Sequence, residues 1–131
     1  MSEYKKFFDL EKRTLEYSKR IVLLSKSLSK TIENDVFRKQ FVRSGTSIGA
    51  NYCEANEKFS EKDFINRMKI CRKELKETHY WLLLVAQNNF GNEYINEVLA
   101  ETIELKNIFC KIINIKEGSL RSSSQEMLVD D

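Results

Sequence analysis

The 131-residue chain contains no proline and only four glycines, so almost nothing in it interrupts a helix. No run approaches the roughly 18 apolar residues that a membrane span needs. The start, Met-Ser-Glu-Tyr-Lys-Lys, lacks the apolar stretch of a secretory signal, so a soluble protein of the cytoplasm, without a membrane partner, is expected. Cysteine is scarce: Cys53, Cys71 and Cys110 are odd in number, far apart and in no C-x-x-C pair. That pattern indicates neither a disulfide framework nor a zinc site, and the three read as small semi-apolar residues in or beside a core. Histidine is scarcer still. With His79 alone and no Glu-x-x-His sequence, the paired motif of a di-metal helical bundle is missing. No cofactor and no enzymatic activity are expected.

What is present suits amphipathic helices around one core: 41% hydrophobic and 32% charged residues in a chain of single-domain size. Apolar residues recur at helical spacing in four segments. The first runs from about Asp9 to Thr31, with Leu10, Tyr17, Ile21, Leu24 and Leu28 in line, and Asn34-Asp35 supplies turn and cap chemistry. The second, from about Val36 to Lys58, aligns Phe37, Phe41, Ile48, Tyr52, Ala55 and Phe59. Ser60-Glu-Lys-Asp63 matches a capping box, opening a third segment to about Asn88 with Phe64, Met68, Cys71, Leu75, Leu82 and Val85. Asn88-Asn-Phe-Gly91-Asn92 closes it. The fourth runs from about Glu93 to Lys116 through Tyr94, Val98, Leu105, Phe109 and Ile112. These segments predict an all-α, antiparallel up-down-up-down four-helix bundle over residues 1–117, followed by a mobile tail, residues 118–131.

The middle of the second segment is unusual. Gly45 and Gly49 each cost a helix about 1 kcal/mol relative to alanine, and close approach of a neighbouring helix is the simplest compensation. The stretch has neither the G-x-x-x-x-G-K-[ST] order nor the preceding strand of a phosphate loop. Ser47, Asn51 and Glu54 flank the buried stripe, as Glu74 and Glu77 do on the third segment. They read as a polar network that fixes helix register rather than as a catalytic carboxylate pair.

Charge is unevenly placed. Residues 1–80 hold 18 Lys+Arg against 12 Asp+Glu, and residues 81–131 hold 4 against 8. Lys62, Lys69, Lys73, Lys76 and Tyr80 fall in one strip opposite the core stripe of the third helix. Lys12, Lys19, Lys26 and Lys30 do the same on the first, whereas Glu93, Glu97, Glu101 and Glu104 line the outer face of the fourth. Two basic strips, one with an aromatic, suit a polyanion such as RNA or DNA. Alternatively the strips meet the acidic helix of a neighbouring subunit, giving a protein-binding scaffold. The runs Ile21-Val-Leu-Leu24 and Trp81-Leu-Leu-Leu-Val85 exceed what one buried stripe needs. Ile70, Trp81 and Leu84 form a second apolar face, which predicts a homo-oligomer.

The stretch Ser44-Gly-Thr-Ser47-Ile48-Gly-Ala-Asn51-Tyr-Cys-Glu54-Ala55-Asn, with Lys62-Asp-Phe64 and Lys69-Ile-Cys-Arg-Lys-Glu-Leu-Lys-Glu77-Thr-His-Tyr80-Trp81-Leu82 downstream, resembles the four-helix-bundle family of 23S rRNA intervening-sequence proteins. The resemblance spans about residues 9–115. It departs from many members at Tyr52-Cys53-Glu54-Ala55 and is similar to the subgroup with a Tyr-Trp-Leu segment on the third helix. It implies an antiparallel bundle assembling as a ring-like homopentamer, with no enzymatic activity. Some members are encoded inside ribosomal RNA genes. Relatives are accessory proteins of the reverse transcriptases of diversity-generating retroelements, so the partners it implies are nucleic acid and a reverse transcriptase.

Overall fold

The computed structural model describes residues 9–129, with side chains described through Ser124. Among the described residues there are four helices and no strand: α1 (Leu10–Ser27), α2 (Ile32–Asn56), α3 (Glu61–Asn88) and α4 (Ile95–Val129). The opening residues and the last residues of the expected tail lie outside this range. Short connections make successive helices antiparallel. Each helix packs against two neighbours, α1 and α3 both lying against α2 and α4, so α1 and α3 occupy opposite corners of an up-down-up-down bundle.

Helix boundaries follow local chemistry. The Thr31 side chain accepts from the Asn34 amide at 3.0 Å, so α2 begins at Ile32, earlier than Asn34-Asp35 suggested. Asn34 is inside the first turn. Its side-chain amide exchanges reciprocal 2.9 Å hydrogen bonds with that of Asn89, tying the start of α2 to the end of α3. Ser60 caps α3 through the Asp63 amide at 3.1 Å, as the capping box requires. In the α3–α4 turn Gly91 takes φ +81°, a conformation glycine adopts without strain. The first helix ends at Ser27, not near Thr31, with Leu28 already extended. That leaves Lys30 in the connection rather than on a helical strip.

The fourth helix corrects the expectation of a break after Lys116. It continues through Gly118 to Val129, because one glycine costs a helix about 1 kcal/mol without stopping it and no proline follows. The start of α3 lies beside α4 near Lys116: Lys116 and Lys69 reach Glu61 and Glu117 at 3.2 and 3.3 Å. Beyond that point Ser119 through Ser124 are all exposed.

The core is continuous from Leu10 to Ile113 and includes Tyr17, Phe41, Ile48, Met68, Leu75, Leu82, Leu105 and Phe109. Burying such a side chain contributes about 1.5–3 kcal/mol. Tyr52 meets Phe109 edge-on at 5.8 Å. Five expected core positions differ: Phe59 is fully exposed in the α2–α3 turn, and Phe37, Phe64, Tyr94 and Ile112 are half-buried against the core, while Ile65 and Ile113 are buried.

Gly45 and Gly49 stand where α1 crosses α2. A Cβ at Gly45 would lie 2.9 Å from Ile21 Cδ1, and one at Gly49 would lie 3.1 Å from Thr14 Oγ1. The two obstacles differ in kind. Buried Ile21 meets a Cβ with Cδ1, Cγ1 and Cγ2, all within 3.2 Å but held only by apolar packing, whereas buried Thr14 is pinned by its hydroxyl, which donates to the Leu10 carbonyl at 2.9 Å. Gly49→Val is therefore expected to destabilise the bundle by about 1–3 kcal/mol through overpacking. Gly45→Ala should stay within about 1 kcal/mol of wild type, because the gain in helix propensity offsets displacement of Ile21. Urea melts compare the two; equal tolerance at both positions would contradict the close-approach account.

Candidate functional site

Polar side chains are concentrated at two helix seams. Between α2 and α3, the hydroxyls of Ser44 and Thr78 meet at 2.7 Å in full burial. Thr78 donates to the Glu74 carbonyl at 2.7 Å, which leaves Ser44 as the donor to Thr78. Cys71 donates its thiol proton toward the Ile48 carbonyl at 3.5 Å. Burial pushes this thiol up to about 12, so it is a packed hydrogen-bond donor, not a nucleophile.

Nearer solvent, two arginines bridge the same seam. Arg67 donates to Asn51 Oδ1 at 3.2 Å and pairs with Glu54 at 2.9 Å. Arg43 pairs with Glu77 and lies 3.6 Å from Glu74. Asn51 in turn donates to the Ser47 carbonyl at 2.9 Å. Asn51, Glu54 and Glu77 thus connect α2 to α3, but through Arg43 and Arg67. Ser47 does not, because its hydroxyl donates within α2 to the Ser44 carbonyl at 2.8 Å.

The α1–α4 seam takes up most of the acidic strip of the fourth helix. Arg13 donates twice to Glu101, at 2.8 Å each, and pairs with Glu104 at 3.0 Å. The Glu101 hydrogen bonds raise its pKa further. Arg20 pairs with Glu97 at 3.1 Å. Beneath them Tyr17 donates to Thr102 Oγ1 at 2.6 Å, Thr102 itself donating to the Val98 carbonyl. Burial pushes the Tyr17 hydroxyl up. Glu97, Glu101 and Glu104 therefore meet cations on α1 of the same chain. Glu93 precedes α4 altogether.

Arginine fills these two seams, Lys69 and Lys116 bridge α3 and α4, and most other lysines of α1 and α3 are left outside. On α3, Lys62, Lys73 and Lys76 are exposed and make no ion pair among the described residues, while Lys69 meets Glu117 at 3.3 Å. On α1, Lys12 and Lys26 are likewise exposed and unpaired, and Lys19 pairs with Glu16 at 3.1 Å. The α1 and α3 strips look out from opposite corners of the bundle, so one chain does not join them into one surface. Tyr80 continues the α3 strip with 59% exposure. It stands edge-to-face on Trp81 at 5.2 Å, and Trp81 leans on Phe37 of α2 at 6.4 Å.

The apolar face expected from Ile70, Trp81 and Leu84 is only partly open. Ile70 is 40% exposed, whereas Trp81 and Leu84 are half-buried, Trp81 packing against the core. Larger apolar exposures lie elsewhere, at Leu83 on α3 and at Leu15 and Leu23 on α1, with Val22 slightly less exposed than Ile70. The long apolar runs carried that signal, since Ile21 and Leu24 are buried while Val22 and Leu23 point out.

A groove of about 610 Å³ between α1 and α2 is lined by Leu15, Gly49, Ala50 and Cys53 among others. The Cys53 thiol there is raised by burial and then by Glu11, which disfavours a thiolate. Among the described residues no cluster of His, Cys, Asp or Glu could hold a metal ion, and no helix is long and apolar enough to cross a membrane.

The profile of the 23S rRNA-intervening sequence proteins matches residues 7–111. A solved structure from Bacteroides thetaiotaomicron VPI-5482, described as a protein with unknown function from the S23 ribosomal protein family, is 35% identical. It superposes with a TM-score of 0.69 over 79% of this chain and 96% of its own. No curated protein matches the sequence.

Thr78→Val removes the acceptor of a buried hydroxyl and is expected to cost about 1–3 kcal/mol. Replacing Ser44 by alanine as well should recover most of that loss, and a double-mutant cycle in urea reads the coupling. A second expectation concerns alkali. The folded state keeps Tyr17 and Cys71 protonated above their ordinary values of 10.0 and 9.0, where the unfolded chain releases those protons. Stability is therefore complete below pH about 9 and declines as pH rises toward 12 and beyond. Thermal melts of wild type and Tyr17→Phe check this, and a decline equally steep in the variant would remove Tyr17 from the account.

Proposed function

The chain belongs to the family of 23S rRNA-intervening sequence proteins, and we propose that it is a non-enzymatic, homo-oligomeric accessory protein that binds RNA or DNA along its lysine faces. One observation carries this reading: Glu54, Glu61, Glu77, Glu97, Glu101 and Glu117 are neutralised within the chain, while Lys62, Lys73 and Lys76 stand unpaired in one exposed row. A row of unneutralised ammonium groups attracts phosphates and releases their counterions without reading base edges. The same observation counts against the scaffold alternative, which needs the acidic helix of a neighbour. Glu97, Glu101 and Glu104 already face Arg13 and Arg20 of their own chain.

Assembly belongs to the same proposal. Exposed Leu15, Leu23, Ile70 and Leu83 leave apolar surface of the kind that marks subunit contacts, and a closed ring of five fits the family resemblance. A ring repeats the α3 strip, so individually weak sites act together on one strand. A reverse transcriptase or another nucleic-acid-handling protein is the proposed protein partner.

Two measurements check these statements. Titration of labelled RNA and DNA should show affinity falling steeply between low and moderate salt. The combined Lys62→Glu, Lys73→Glu and Lys76→Glu variant should lose roughly tenfold or more at low salt; unchanged binding, or none by either protein, would set the proposal aside. Light scattering should give about five times the 15.5 kDa chain mass, and a monomer at micromolar concentration would end the oligomer proposal.

A further inference from the structure

We infer that the α3 face takes nucleic acid in single-stranded form, RNA or DNA, with Tyr80 as the platform on which a base stacks. This rests on the polyanion reading above and adds to it which form of the polymer the surface fits. Lysines alone do not discriminate, because phosphates line single and double strands alike. Tyr80 does. In a duplex every base face is covered by its neighbours in the stack, and only edges are open in the grooves. A tyrosine ring offers its π-face to a base that is not so covered, which a single strand supplies at every residue.

The setting of Tyr80 suits that role better than a structural one. More than half of it is exposed, and its hydroxyl makes no hydrogen bond among the described residues. The edge-to-face contact with Trp81, itself leaning on Phe37, fixes the ring before anything binds, so little freedom is lost on stacking. Lys76 lies about 6 Å below along the helix axis and Lys73 about 10 Å below, placing two ammonium groups for the phosphates that flank a stacked nucleotide. One turn above, Leu83 is 51% exposed and extends the apolar surface beside the ring.

The test is fluorescence anisotropy at low salt with oligo(U), oligo(dT) and a DNA duplex of equal length, using the full-length protein and three variants. Tyr80→Ala should weaken single-strand binding roughly tenfold and leave duplex binding within about twofold, while Tyr80→Phe, which keeps the ring, should match wild type. Circular dichroism confirms that the exposed substitution leaves the fold intact. The inference is supported by that selective loss on either oligo(U) or oligo(dT), and the tighter of the two identifies the strand. It is overturned if Tyr80→Ala weakens single strand and duplex equally, or neither. Failure of the underlying reading looks different: the lysine triple variant then binds every probe as wild type does, or no probe binds any of the proteins.

Discussion

Arginine–carboxylate pairing across the helix seams governs the character of the surface. Arg13 and Arg20 reach from α1 to α4, and Arg43 and Arg67 reach between α2 and α3. Half-exposed pairs of this kind contribute modestly to stability, but the planar guanidinium takes two oxygens at once and so favours one register of the seam over its neighbours. Where the pairing occurs is set by packing. Gly45 and Gly49 let α1 sink toward α2, and α1 consequently stands closer to α2 than to α4. The wider α1–α4 seam is bridged by long side chains, with the Tyr17–Thr102 hydrogen bond beneath them. Glycine on one side of α1 and arginine on the other are thus two parts of one arrangement.

The consequence for function is a division of labour between the two basic residues. Seam arginines neutralise the glutamates that a glance at net charge would set against a polyanion, and lysines on α1 and α3 remain facing solvent. A formal charge of only +2 therefore conceals an outward-facing basic row on α3. Opposite corners of the bundle carry the two lysine strips, so under the proposed function their joint use would fall to different subunits of an assembly.

Much of this was legible in the sequence, and the misses share a cause. The four helical segments, the Ser60 cap and the glycine-permitted approach of a neighbouring helix follow from spacing and backbone chemistry, which are local. Helix ends were less legible: Thr31 rather than Asn34-Asp35 caps α2, and Gly118 fails to end α4, because a single residue type does not decide a boundary. The orientation of the glutamates on α4 was invisible, since helical phase says that Glu97, Glu101 and Glu104 share a side but not that arginines of α1 face it. For the same reason the network around Asn51, Glu54 and Glu77 was recognised without Arg43 and Arg67 that complete it. Trp81 looked available because its cover, Phe37, comes from another helix.

Once the seams have taken their carboxylates, α3 is left with an outward-facing row of unpaired lysines. Lysine footprinting measures whether that row meets a polynucleotide: amine-reactive acylation, read by mass spectrometry with and without the bound polymer. Protection should concentrate at Lys62, Lys73 and Lys76, with Lys106 on α4 reacting as in the free protein. Uniform protection across all lysines, or none at the α3 positions while the polynucleotide is bound, would contradict that contact.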